Sequence, residues 1–178
     1  MRVLVGYASA KGSTRGVAER IGADLDAAGY SVDVREIAEI SDVGAYGAVV
    51  LGSAIHGGQW LPEASAAIEH LISNLERKPV WAFSVSSVGA TSTIISTWLA
   101  RLLRRVTPEP RTVQSLRGAA DVRDHRFFAG SIAPGGWSGF GGVVFRLMGG
   151  HYGDGRDWGD IDRWAAAVGT EVDRGTPR

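Results

Sequence analysis

Two stretches constrain the fold of this chain more than any other. Val3 to Ala8 and Ala48 to Ala54 are apolar runs rich in β-branched residues, and no charge interrupts either. A strand with no wet face must be covered on both sides, and helical crossovers between parallel strands do that. Both runs stop at loops of small residues, after which the period changes. Ser9-Ala10-Lys11-Gly12-Ser13-Thr14 closes the first; Val17, Ala18, Ile21, Leu25 and Ala28 then recur at helical spacing up to Gly29, a residue suited to the left-handed position that ends a helix. The second run leads into Ile55-His56-Gly57-Gly58-Gln59-Trp60. Pro62 fits the first turn of a helix whose stripe is Ala64, Ala67, Ile68, Leu71 and Leu75.

The remaining elements follow the same alternation. Ser31 to Ile37 reads as a second strand and Pro79 to Ser84 as a fourth, followed by the polar loop Ser84 to Gly89. Ile94, Ile95, Trp98, Leu99 and Leu102 predict a helix. Between Arg104 and Arg126, around Pro108 and Pro110, the periodicity lapses. Arg126 to Gly130 reads as a fifth strand, and Ile161, Trp164, Ala165, Val168 and Val172 as a final helix. The expected fold is therefore α/β, a doubly wound five-stranded parallel sheet with right-handed crossovers in the order 2-1-3-4-5, and 178 residues suit a single domain. In that order a ligand binds where the carboxyl ends of strands one and three diverge, between Ser9–Thr14 and Ile55–Trp60.

Composition removes several functions. With no cysteine there is no disulfide, thiolate metal site, iron–sulfur cluster or cysteine nucleophile, and four scattered histidines make no metal site. Acidic and basic residues number 19 each, so no nucleic-acid partner is expected. The basic excess falls in the second half. No apolar run is long enough for a membrane span, and the short apolar start is a strand rather than a signal peptide, so a cytoplasmic location is the default expectation. Glycine is in excess, 25 residues, and 11 of them lie between Gly130 and Gly159 among Trp137, Phe140, Phe145, Tyr152 and Trp158.

The first loop carries the clearest chemistry. A helix N-terminus presents unpaired N–H groups and a positive dipole end, so Ser9 to Thr14 can hold a phosphate, with hydroxyls from Ser9, Ser13 and Thr14 and close approach at Gly12. Neither a P-loop nor a G-x-G-x-x-G fingerprint is present. A response regulator, which shares the strand order, would need carboxylates where this chain has Tyr7, Ala8 and Ser53.

This hydroxyl loop resembles the T/S-x-T-G-x-T loop of the flavodoxin-like family, with Lys11 where a threonine is common. The resemblance implies flavin mononucleotide (FMN), its phosphate on Ser9, Ala10, Lys11, Gly12, Ser13 and Thr14. The ring would lie between Ser53, Ala54, Ile55, His56, Gly57 and Gly58 on one side and Ser84, Val85, Ser86, Ser87 and Gly89 on the other. Trp60 is the expected stacking residue, and His56 a candidate acid or base. Within that family the chain is similar to the menaquinone-dependent protoporphyrinogen oxidases and related flavodoxin-domain proteins. The carriers are Val49 to His56, Phe83-Ser84-Val85, Phe128 to Ser131, Leu147 to Gly150 and Asp157-Trp158. It departs from them in Thr107 to Asp124, which is long, and after Gly130, where the loop is glycine-rich. That similarity implies two-electron transfer from a porphyrinogen-like or other apolar donor to a quinone, in heme biosynthesis; a flavodoxin-type carrier serving a protein partner is the alternative. Carriers of that type are typically acidic, and this chain is neutral. Phe140, Val143, Val144, Leu147 and Met148 stand at helical spacing, as core or as an apolar wall toward substrate or membrane. Arg146 and the arginines from Arg101 to Arg126 are candidate partners for carboxylates or anionic lipid.

Overall fold

The computed structural model describes residues 1–76, 78–133, 143 and 145–175. Its elements are β1 Arg2–Ala8, α1 Ser13–Ala27, β2 Ser31–Glu36, β3 Ala48–His56, β4 Gln59–Trp60, α2 Pro62–Leu71, β5 Pro79–Ser86, α3 Thr97–Val106, α4 Arg111–Ala119, β6 Asp121–Ala129, β7 Ser131–Ile132, β8 Gly153–Asp154 and α5 Trp158–Gly175. The main sheet runs β2-β1-β3-β5-β6, all parallel, and β4 folds back antiparallel on β3. Counting parallel strands only, this is the expected order 2-1-3-4-5.

The apolar runs are covered on both faces, as their composition demands. Val3, Val5 and Val50 pack beneath α1 and α5 with Trp81, Phe83 and Trp164, while Leu4, Val49 and Leu51 pack beneath α2 and α4. Each fully buried side chain of this size stabilises the fold by roughly 1.5–3 kcal/mol relative to exposure. Arg126 binds the buried carboxylate of Asp160 through Nε and Nη2, tying the last parallel strand to α5. The side chain of Asp157 accepts the Asp160 backbone N–H at 3.0 Å, a cap on the first turn of α5.

Three expectations are corrected. The stretch without periodicity contains α4, which starts directly after Pro110 and buries only Thr112, Val113 and Leu116. Nine residues are too few for a clear stripe. The fifth parallel strand starts at Asp121, five residues before Arg126, because its outer portion carries charge on an edge strand of the sheet. Ile94 and Ile95 are buried but precede α3, whereas Trp98 is 68% exposed and Leu102 49%. Their common spacing reflects two different structures, a loop that feeds a small core and a helix that leaves its apolar ridge in solvent. That small core joins Ile94, Ile95 and Ala100 to Phe145, with Met148 and Tyr152 against them. In the segment after Gly130, Trp137, Phe140 and Val144 lie outside the described residues. Phe145, which is off the expected stripe, is the buried member, and Leu147 on the stripe is 82% exposed. Among the described residues no helix is long and apolar enough to cross a membrane.

Candidate flavin site

β1 delivers its last residues to the top of the sheet, where Gly12 takes φ 82° and caps α1 without any side-chain hydrogen bond. The left-handed turn is what lets the chain reverse from strand into helix and aims the first N–H groups of α1 outward. Beside it lies a cavity of about 490 Å³ bounded by Ser9, Lys11, Thr14, Ile55, Ser86 and Ser131, among others. The buried hydroxyl oxygen of Ser9 has no hydrogen-bond partner among the described residues. An orphaned buried hydroxyl costs about 1–3 kcal/mol, so a ligand oxygen at this position would relieve it. The Ser13 hydroxyl already accepts the Ser131 backbone N–H at 2.8 Å, which leaves it one proton to donate. This donor set, hydroxyls around an uncapped helix start, fits a phosphate monoester.

The loop after β3 is a two-residue hairpin. Ile55 pairs with Trp60 and His56 with Gln59, so Gly57 and Gly58 form the turn at φ 58° and 80°. Two successive positive φ angles require a type I′ turn, which glycine supplies without strain. His56 stands exposed at its edge. The loop after β5 is held by its own polar groups. Val88 N–H donates to the Ser86 hydroxyl, which donates to the Val88 carbonyl, and Ile94 N–H donates to the Ser87 carbonyl. Gly89 has a packing role: a Cβ there would lie 2.3 Å from the backbone nitrogen of Ala129.

The expected residues therefore divide. Ser9, Ala10, Lys11, Ser13, Thr14, Ala54, Ile55, His56, Val85, Ser86 and Ser87 line this cavity. Gly57, Gly58 and Gly89 line a second one. Gly12, Ser53, Ser84 and Trp60 line neither. Ser53 is fully buried; its hydroxyl donates to the Ala54 carbonyl and accepts the Leu61 N–H, fixing the hairpin. Trp60 is only 2% exposed and donates its Nε1–H to the Ser84 hydroxyl at 2.8 Å, so it has no free face on which a flavin could stack. The hairpin turns the indole into the core. Among the residues not foreseen, Ile94, Gly130, Ser131 and Ile132 line the first cavity. The sequence signal for them is that Gly130 and Ser131 directly follow a strand, at the same sheet edge as the other loops.

The second cavity, about 620 Å³, shares Ile55, His56, Ser86 and Ser87 with the first, so the two adjoin across these residues. Its far wall is Leu103, Arg104 and Thr107 from α3 and its end, with Met148, Ile95 and Phe127. His125 also lines it and is the centre of a largely buried polar chain. Trp60 donates to Ser84, Ser84 meets His125 Nε2 at 2.8 Å, and His125 Nδ1 meets Glu109 at 3.0 Å. Because the carboxylate can only accept, Nδ1 carries the proton, leaving Nε2 to accept from Ser84. Burial holds His125 below its usual pKa against the raising effect of Glu109. Burial pushes Glu109 up, but its hydrogen bonds and charge contact with Arg117, together with His125, outweigh that and leave its carboxyl below the usual value. Among the described residues no group of His, Asp or Glu could hold a metal.

Solved structures share this architecture. A cysteine-to-serine mutant of flavodoxin from Pseudomonas aeruginosa superposes with a TM-score of 0.62 at 14% identity, covering 97% of this chain and 99% of that one. Oxidised flavodoxin 2 from Bacillus cereus gives 0.60 at 17% identity over 99% and 100%. A rubredoxin oxygen:oxidoreductase from Desulfovibrio gigas gives 0.60 at 13% identity, covering 97% of this chain but 36% of that larger one. At such identities the likeness shows the fold. No curated protein matches the chain. The flavodoxin domain family matches residues 4–132, most of the chain and every wall of the phosphate loop, so this protein belongs to the flavodoxin domain family, and its cofactor is FMN.

Proposed function

We propose that this protein is an FMN-dependent oxidoreductase acting on small apolar molecules, with a porphyrinogen-like donor and a quinone-like acceptor as the preferred pair. The observation that carries this reading is the 620 Å³ cavity adjoining the flavin cradle. A carrier that hands electrons to a protein needs only an exposed ring edge, whereas a concave apolar cavity of this size suits a bound small molecule. The near-neutral balance of charge also speaks against steering onto a basic protein partner.

In this reading Ser9, Ser13, Thr14 and the first N–H groups of α1 hold the phosphate. The Ile55–Gly58 hairpin and the Val85–Ser87 stretch flank the ring. When bound, FMN supplies the two-electron chemistry, and the protein positions it and limits water. The donor loses two electrons and two protons, and the quinone takes up two of each to become a quinol. His56, exposed at the junction of the cavities, is placed to exchange such a proton with solvent. Ile95, Leu103, Phe127 and Met148 supply the apolar surface for the ring of donor or acceptor. The test is anaerobic reoxidation of the photoreduced protein by menaquinone analogues, for wild type and for Leu103→Trp, which fills the cavity. We expect quinone-dependent reoxidation in wild type, and a raised KM for the quinone in the variant with FMN retained. Indifference to quinones and porphyrinogens, with fast exchange to ferredoxin-type proteins, would identify a carrier instead.

A further inference from the structure

We propose that the exposed ridge of α3 docks this protein on an anionic lipid surface, so that the second cavity meets its apolar ligand at the bilayer. Trp98, Leu102 and Val106 recur every four residues along one edge of α3 and are 68%, 49% and 62% exposed. A run of three large apolar side chains in water has no folding benefit. Beside them, one ridge around the helix, stand Arg101 and Arg105, both exposed; neither these nor Arg146 forms an ion pair among the described residues. The whole helix has three arginines and no acidic residue. The next apolar residues in solvent, Val143 and Leu147, belong to the segment adjoining the start of α3, where Ser96 N–H donates to the Met148 carbonyl at 3.1 Å. Among the described residues, five of the seven large exposed apolar side chains thus belong to two adjoining segments.

A ridge of Trp, Leu and Val bordered by arginines is the pattern of a helix lying in a membrane interface, with the rings and aliphatic chains among acyl tails and the guanidinium groups at phosphates. Charge decides between occupants. A second copy would bring two arginine ridges together, whereas anionic headgroups complement them. The same two segments wall the second cavity through Leu103 and Met148, and Arg104 binds the Gly89 and Ser92 carbonyls at 2.7 and 3.0 Å, tying α3 to the loop between the two cavities. The delivery of an apolar ligand from the bilayer rests on the proposed oxidoreductase reading; the docking itself does not.

The test is flotation of the full FMN-loaded chain with phosphatidylcholine vesicles, with and without phosphatidylglycerol. Wild type should float with the anionic vesicles at low salt and be released as salt rises. Trp98→Ser with Leu102→Ser should lower partitioning at least about tenfold, and so should Arg101→Glu with Arg105→Glu on the anionic vesicles. None of these four residues lines either cavity, so bound FMN and turnover with a water-soluble quinone should be unchanged in both variants. Because Arg101 and Arg105 are exposed, the second pair remains informative if the first impairs folding. No flotation of wild type, or flotation that both pairs retain, overturns the proposal. So does a wild-type dimer in solution that the same substitutions disperse, since that assigns the ridge to a second copy. Failure of quinone turnover with lipid binding intact breaks the functional reading alone.

Discussion

The two walls of the binding crevice are built in opposite ways. The phosphate wall is six consecutive residues, Ser9 to Thr14, running from the end of β1 into the first turn of α1, whose neighbours are the two large sheet cores. The far wall is assembled from Ile95, Leu103, Phe127 and Met148, which come from four separate segments; all but Phe127 belong to or pack on a core of only four buried side chains among the described residues. A contiguous loop on a rigid strand is pre-organised for one chemical group. A wall gathered from distant segments is free to differ between relatives that share the cofactor, and its stability is local.

The sharpest way to break this contrast is to delete one aromatic ring from each side. Phe83 is fully buried between the Phe128 and Trp164 rings, both 6.2 Å away. Phe83→Ala should cost about 3–5 kcal/mol in global unfolding, read from denaturant midpoints. Phe145 is equally buried but packs in the small core against Tyr152. Phe145→Ala should instead speed amide exchange in residues 94–103 and 145–152 while amides of β1 and β3 keep their protection. Equal loss of protection in the strands would show that the far wall folds with the sheet.

On the phosphate side, Ser9→Ala separates binding from folding. The hydroxyl lost is one that has no partner among the described residues. The apoprotein should therefore keep or slightly raise its melting temperature, while FMN affinity falls by about 10- to 100-fold, the worth of one hydrogen bond to a charged group at roughly 1.5–3 kcal/mol. Titration by flavin absorbance checks it, and unchanged affinity would remove Ser9 from the phosphate site.

The polar chain through His125 in the wall of the second cavity gives a pH prediction. Burial, the largest influence on His125, holds its pKa below the ordinary 6.5. The unfolded chain takes up a proton below about that pH that the folded protein refuses. The stabilisation is thus complete above about pH 6.5 and is lost as pH falls through the folded value. Glu109→Gln should destabilise by about 1–3 kcal/mol at neutral pH, since it strips Arg117 of its carboxylate. It should also carry the acid loss attributable to His125 to lower pH, because Glu109 raises that histidine's pKa. Chemical denaturation between about pH 5 and 8 measures both; stability that is flat with pH would mean His125 is protonated without penalty.

How much of this was legible follows the same divide. Val3 to Ala8 and Ala48 to Ala54 announce a doubly covered sheet because nearly every position is buried, and strand order and the first loop follow from that. Helix α4 and the early start of β6 leave weak traces, since a short helix and a charged edge strand each bury only one narrow side. The ridge Trp98, Leu102, Val106 reads as core by spacing, because periodicity reports which residues share a face and not what the face meets. His125 gave no local signal: its partners Ser84 and Glu109 are 41 and 16 residues away.

Trp60 shows the same limit at a single side chain and yields the smallest expected effect. Its sequence position, two residues after a pair of glycines in the flavin-side loop, suits a stacking ring; the type I′ hairpin instead turns the indole inward onto Ser84. Trp60→Phe keeps an aromatic body in the core and removes only the Nε1–H donor. That should cost about 0.5–1.5 kcal/mol of stability, the net worth of an ordinary hydrogen bond. FMN affinity and the flavin absorption bands should not move, whereas loss of a stacking indole would shift the bands and weaken binding. A band shift with unchanged melting temperature would place Trp60 against the ring after all and make the hairpin, rather than the far wall, the variable part of the site.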